Sequence, residues 1–84
     1  MNARLTKKQI SQVQDILMEE LDVSREQLAP EAGLEKDLGA DSLTLIQIVM
    51  KLEDRFNIVL PDEAAEKAVT VEKVYETVAD QLEQ

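Results

Sequence analysis

Apolar side chains recur at helical spacing near the start of the chain. Thr6 followed by Gln9 fits a capping box, in which each side chain bonds to the backbone N–H of the other residue. The residues of the apolar stripe that follows are Ile10, Val13, Ile16, Leu17 and Leu21. The pattern predicts a first helix from Thr6 to about Leu21. Lys7 and Lys8 lie unfavourably at its positive end, which predicts a weak first turn.

Residues 22–41 show no sustained hydrophobic period. The residues that interrupt regular structure there are Pro30, Gly33 and Gly39. The segment is therefore predicted to be a loop, longer than most connections between helices. The leucines expected to anchor it to the core are Leu28, Leu34 and Leu38. We also expect a turn of helix around residues 34–37.

A second helix, capped by Asp41 or Ser42 and ending near Phe56, carries two apolar stripes. The first stripe consists of Leu45, Ile48, Val49, Leu52 and Phe56. The second lies about 140° around the helix and consists of Leu43, Ile46 and Met50. Either the helix is central and buried on both sides, or the second stripe is exposed and docks partner proteins. Its start one residue after Ser42 favours docking.

The last part of the chain predicts one short helix and one long helix. A brief helix at residues 62–67 has Asp62 as a candidate N-cap. Thr70 opens the last helix, whose apolar stripe is Val71, Val74, Tyr75, Val78 and Leu82. The apolar run 58–60 lacks a partner strand, so a buried loop is favoured. The sequence thus predicts an all-α, small four-helix bundle: three main helices plus one short helix, with a long loop between helices one and two, in a single domain of residues 1–84.

The composition excludes several kinds of active site. The 84 residues include no cysteine and no histidine. A disulfide, a thiolate ligand and an imidazole base or ligand are therefore all absent. These absences argue against a metalloenzyme and rule out a Ser-His-Asp hydrolase, and we expect no metal site and no enzymatic activity.

The acidic balance restricts the partners. The formal net charge is −9, so nucleic acid and anionic lipid headgroups are poor partners, whereas a protein with a basic patch is a good one. No apolar run is long enough for stable membrane insertion, and the polar start of the chain does not resemble a signal peptide. We expect a cytoplasmic monomer.

Three segments together resemble one family. Residues 37–43 read DLGADSL, residues 52–56 read LEDRF and residues 60–63 read LPDE. They are similar to the phosphopantetheine attachment motif and the downstream segments of acyl carrier proteins, and the resemblance extends from about Asp37 to Val78. The tripeptide DSL alone is common, but the whole of DLGADSL at a loop-to-helix junction of an acidic helical chain is specific.

The resemblance implies that Ser42 is the attachment point of a 4'-phosphopantetheine arm. A serine at a helix N-terminus lies near unsatisfied backbone N–H groups that favour a phosphate. Gly39 permits a backbone conformation that other residues resist and so keeps the junction open. Asp41 matches the family residue that supports loading by helping to organise the metal. Without the surrounding motif, Asp41 and Ser42 would be ordinary helix caps.

The resemblance also implies how the protein works. A phosphopantetheinyl transferase moves the arm from coenzyme A to Ser42 with magnesium, and the thiol of the arm then carries acyl groups as thioesters. The cargo passes between acyl-transferring and acyl-modifying enzymes of fatty-acid, polyketide or related specialised pathways. The borrowed thiol explains how a chain without cysteine performs thiol chemistry. In this family the acyl chain also enters between the helices.

The second helix departs from the family pattern. Many carriers of fatty-acid synthesis have a strongly acidic second helix, whereas here Lys51 and Arg55 cancel Glu53 and Asp54. Because rim charges govern partner choice, a neutral helix predicts a specialised carrier that discriminates against partners with a basic patch. The alternative is that Glu53, Asp54 and the acids of the loop suffice for ordinary partners. Together with the second stripe, Glu53 and Asp54 are candidate docking residues.

Other functions remain open. A D-alanyl or peptidyl carrier uses the same arm, although Ala40 and Asp41 favour the acyl class over peptidyl carriers, which usually have glycine and histidine before the serine. An unmodified acidic helical adaptor would need no free Ser42. A calcium sensor is excluded because no segment matches an EF-hand loop.

Overall fold

The computed structural model describes residues 4–61, 63–67 and 69–83. The four α-helices in chain order are α1 at Lys7–Leu21, α2 at Ser42–Phe56, α3 at Ala64–Lys67 and α4 at Val71–Leu82. Across these ranges the only β-type pairing is an isolated bridge between Gly33 and Thr70. The all-α bundle of three main helices and one short helix is confirmed, as is the long connection before α2.

Local side-chain and backbone chemistry fixes the helix ends. The predicted capping box of α1 is confirmed: Gln9 N donates to Thr6 Oγ1 at 3.1 Å, and Thr6 N donates to Gln9 Oε1 at 2.9 Å. Asp22 and Asn57 end α1 and α2 in the left-handed conformation, with φ of 56° and 55°. Thr70 caps α4 as predicted. At least one end of each main helix is therefore fixed by a capping residue.

The long connection is tied to the start of α4. The leucines that lie in or against the core are Leu28, Leu34 and Leu38. Leu34 N donates to the carbonyl of Val69 at 3.0 Å, and Val71 N donates to the carbonyl of Ala32 at 3.0 Å. These backbone bonds satisfy polar groups that burial of the loop would otherwise leave unpaired. The connection is therefore an ordered part of the fold.

The connection contains one element that the sequence did not predict and one that extends less far than a helix. A 3-10 helix at Arg25–Gln27, closed by Ser24 and Gln27, was not predicted. The expected turn of helix at residues 34–37 is present only as a hydrogen-bonded turn, in which Asp37 N donates to Gly33 O at 2.9 Å. It does not propagate because the next amides fold back: Leu38 N also donates to Gly33 O, and Ala40 N donates to Leu34 O.

The connection between α2 and α3 also differs from expectation. The run 58–60 is a loop and not a strand, as predicted. Its expected burial is only partly correct, because Leu60 is buried but Val59 is 79% exposed. Successive side chains of an extended segment point in opposite directions, and only alternate ones reach the core. The described part of α3 begins at Ala64 and extends to Lys67 as predicted, while the proposed cap Asp62 lies outside the described residues.

The core is aliphatic and centres on α2, which packs against both α1 and α3. The buried residues of α2 are Leu45, Ile48 and Leu52. They meet the buried stripes of α1 and α4, including Leu17 and Val78, which are fully excluded from solvent. None of the helices in the described ranges is long and apolar enough to cross a membrane.

Candidate functional site

Asp41, and not Ser42, caps α2. The carboxylate Oδ1 of Asp41 accepts a hydrogen bond from Thr44 N at 2.8 Å, which lowers the pKa of Asp41. Ser42 is the first residue of the helix and is exposed, so its hydroxyl is not needed for capping. Asp41 belongs to no group of three or more potential ligands, because the described residues contain no such cluster that could hold a metal.

Gly39 shapes the chain just before the cap. Its φ of 78° lies in the left-handed region, and a Cβ placed on it would meet nothing within 4 Å. The backbone conformation, and not a crowded neighbour, is therefore what favours glycine here. The next residue, Ala40, is buried and bonded to Leu34 O at 2.8 Å, which anchors the junction. Gly39 thus lets the chain pass from a buried anchor to an exposed helix start.

A groove opens beside Ser42, between α2 and α3. Its volume is about 300 Å³, and the residues that line it are Glu35, Ser42, Leu45, Ile46, Ala65 and Glu66. Three of these side chains are apolar and two are carboxylates, so the groove can accommodate a mostly uncharged, flexible arm whose phosphate is attached to Ser42. Glu35, Ala65 and Glu66 could not be predicted from the sequence, because no local pattern places the loop before α2 and the short α3 next to Ser42.

The second apolar stripe of α2 is exposed. Leu43 is 63% exposed, Ile46 49% and Met50 60%. The interpretation in which α2 is buried on both sides is therefore wrong, because α1 and α3 flank the helix without covering its outward side. We refer to Leu43, Ile46 and Met50 as the outer strip.

The two candidate docking acids of α2 lie in different surroundings. Glu53 is half-buried, and its Oε2 accepts a hydrogen bond from Leu60 N at 2.8 Å, so it holds the connection after α2. Asp54 is exposed and borders a groove next to Met50. Asp54 is therefore available beside the outer strip, whereas Glu53 Oε2 is occupied by its hydrogen bond to Leu60 N.

Lys51 joins α2 to the last turn of α1. Its Nζ lies 2.6 Å from Glu19 Oε1 and 2.6 Å from Glu20 Oε2. Hydrogen bonding to Glu19 and then Glu20 raises the pKa of Lys51, and the same contact with Lys51 lowers the pKa of Glu19. Charges counted separately for each helix do not reveal this cluster, because its members lie on two different helices. The sequence offers only one indication of such a cluster, which is a lysine placed between the apolar stripes of α2.

Comparisons with known proteins identify the family. The family model described as "Phosphopantetheine attachment site" matches residues 11–78. The acyl carrier protein of Helicobacter pylori strain J99 is 47% identical over 68 residues, which cover 81% of this chain and 87% of the relative. The acyl carrier proteins of strains G27 and 26695 are 44% and 43% identical with the same coverage. The chain belongs to the acyl carrier protein family and carries acyl groups on a covalently attached 4'-phosphopantetheine.

Proposed function

We propose that Ser42 bears the arm and that the chain carries acyl groups without catalysing their chemistry. The observation that carries this proposal is the position of Ser42: it is exposed, it opens α2, and its hydroxyl is left free of capping by Asp41. The first backbone N–H groups of α2 favour the phosphate that would be attached there. Cytoplasmic location, a monomeric state and a single domain belong to the same proposal.

The loading step forms one phosphorus–oxygen bond and breaks another. In the transferase, the Ser42 oxygen attacks the phosphorus that bears pantetheine in coenzyme A. The pyrophosphate bond breaks, adenosine 3',5'-bisphosphate leaves with the electron pair, and the hydroxyl proton passes to a base of the transferase. Asp41, whose carboxylate is ionised at neutral pH, would help to hold the magnesium ion that this step uses. The attached arm supplies the thiol that the chain lacks.

The acyl chain enters the bundle from the groove beside Ser42. A void of only about 10 Å³ lies deeper, lined in part by Ile48, Leu52 and Val74. That volume is too small for a methylene chain, since even one water needs about 10–15 Å³. Entry of an acyl chain therefore requires α2 and α3 to move apart around an aliphatic core.

The pathway is a specialised one, and this part of the proposal rests on the neutral charge of α2 itself. The test is the affinity of the acylated protein for the ketosynthase of general fatty-acid synthesis, with a standard fatty-acid carrier as control. The affinity expected for this chain is clearly lower than that of the control. Equal affinities would show that the acids outside α2 suffice and that the pathway is an ordinary one.

Intact mass tests the attachment site. Apo protein is incubated with coenzyme A, magnesium and a broad-specificity phosphopantetheinyl transferase, and its mass is expected to rise by one phosphopantetheine group. Ser42→Ala abolishes the gain. Ser24→Ala is the matched control, because Ser24 is also exposed and precedes a helix but lies outside the motif. A folded wild type without the gain would favour the unmodified adaptor, and an aminoacyl group on the arm of purified protein would favour a D-alanyl or peptidyl carrier.

A further inference from the structure

The outer strip lies between two different grooves. At one edge, Ile46 borders the groove that it shares with Ser42 and α3. At the other edge, Met50 borders a groove of about 340 Å³ that reaches α1 through Glu20. A protein that covers the outer strip near Met50 therefore meets the last turn of α1 as well as α2.

The charge at the α1 edge differs from the charge of α2 taken alone. The ammonium of Lys51 is bonded to two carboxylates, which leaves the cluster of Glu19, Glu20 and Lys51 with an excess negative charge. The Glu19 side chain is 70% exposed, whereas that of Glu20 is 12% exposed. Asp54 adds a second exposed carboxylate beside Met50. Arg55 is also exposed and acts electrostatically on Glu19, so three carboxylates stand against two cations here. The surface around Met50 therefore keeps a small negative excess, although the helix that bears it is neutral.

The fixed geometry of Lys51 determines which partner charge fits. The Lys51 ammonium is already bonded to two carboxylates on α1, so it is a poor partner for an acidic group. Glu19 uses Oε1 in its contact with Lys51, but its side chain is mostly exposed and can still be approached by a partner cation. Lys51 is therefore a positioning residue that holds Glu19 and Glu20 beside the outer strip. A partner residue with a cation next to an apolar side chain is complementary to Glu19 and Met50 together.

We infer that the last turn of α1 is part of the docking surface for the phosphopantetheinyl transferase, which places an arginine or lysine against Glu19 and an apolar side chain on Met50. The inference rests on the proposed function, since it assumes that a transferase must bind this protein. According to this inference, the negative charge that attracts the transferase lies on α1, because the charges of α2 cancel one another.

Initial loading rates at low ionic strength test the inference. The double variant Glu19→Gln/Glu20→Gln is expected to lower kcat/KM for loading by about fivefold, because it removes the carboxylates and leaves Lys51 unpaired beside Met50. The control Glu72→Gln/Glu76→Gln changes the net charge equally on α4 and is expected to stay within about twofold of wild type. High salt should remove most of the difference, since it screens exposed charges.

The outcomes separate this inference from the proposed function. Equal rates for the wild type and the α1 variant at low salt, or equal losses in the α1 and α4 variants, would overturn the role of α1. With excess transferase, every variant is expected to reach complete loading by intact mass, and a wild type that never gains mass would defeat the proposed function instead. Because the α1 variant loses the Lys51 ion pairs, its rate is compared at a temperature where circular dichroism shows the native helix content.

Discussion

The inner and outer faces of α2 are made of similar residues but have opposite roles. Ile48 on the inner face is 1% exposed, and Ile46 on the outer face is 49% exposed. They lie two positions apart on one helix and differ in their surroundings: Ile48 packs into the core, whereas no other helix in the described part of the chain covers Ile46. A small bundle covers one side of its central helix with the other helices, which leaves the other side for partners. The inner face therefore determines stability and the outer face determines recognition.

The largest expected effect comes from the inner face. Ile48→Ala removes a fully buried side chain and is expected to lower the free energy of unfolding by about 3 kcal/mol. Ile46→Ala is the matched control, since it deletes the same atoms from an exposed position and is expected to change stability by less than about 0.5 kcal/mol. Urea unfolding followed by circular dichroism measures both. Similar losses for the two variants would show that the outer face is not free.

The outer strip should affect partner binding without affecting the fold. Leu43→Ala/Met50→Ala is expected to lower kcat/KM for loading by about tenfold, because truncating apolar contacts at a docking site costs affinity. The thermal unfolding midpoint should change little. Val59→Ala is the control, because Val59 is exposed but follows the end of α2 distant from Ser42. An equal loss of rate in the control would mean that general surface hydrophobicity, and not the outer strip, governs loading.

Much of this contrast could be predicted from the sequence. Helical periodicity separates the two faces of α2, and caps such as Thr6 and Thr70 identify where helices begin. What periodicity does not show is which face another helix covers, because that depends on tertiary packing. Helical periodicity alone therefore does not determine whether Met50 is buried or exposed.

Charge was the less predictable property. Counting charges along α2 gives a neutral helix, but ion pairs join residues far apart in the chain, such as Lys51 and Glu19. The groove beside Ser42 also depends on residues that are distant in the chain, since Ala65 and Glu66 of α3 line it. Local signals therefore predict elements and caps, while the edges of the site arise from how the elements pack.

Gly39 connects the buried anchor at Ala40 with the exposed start of α2. Gly39→Ala is expected to lower the free energy of unfolding by about 1 kcal/mol, because an L-residue is strained at a φ of 78°. Loading should also slow, since relief of the strain would shift the junction at Ser42. Gly39→Asn should lose less, because asparagine adopts left-handed conformations more readily. Urea unfolding and initial loading rates measure the two effects, and an alanine variant as stable as wild type would contradict the strain argument.

The smallest expected effect is the pH dependence of the cap where both faces of α2 begin. The Thr44 N–H lowers the pKa of Asp41 in the folded state, so the stabilisation is complete above the pKa of the unfolded chain and is lost as the pH falls through the folded pKa. Comparing wild type with Asp41→Asn should show an advantage for wild type at pH 7 that shrinks once the pH falls below the ordinary aspartate pKa of about 3.9 and is lost as Asp41 becomes protonated in the folded state. Thr70→Ala is the control, because the Thr70 hydroxyl caps α4 without titrating, so its cost should not vary with pH. If the advantage of wild type persisted at low pH, the cap would not depend on the negative charge of Asp41. The ionised carboxylate would then matter for loading and not for stability.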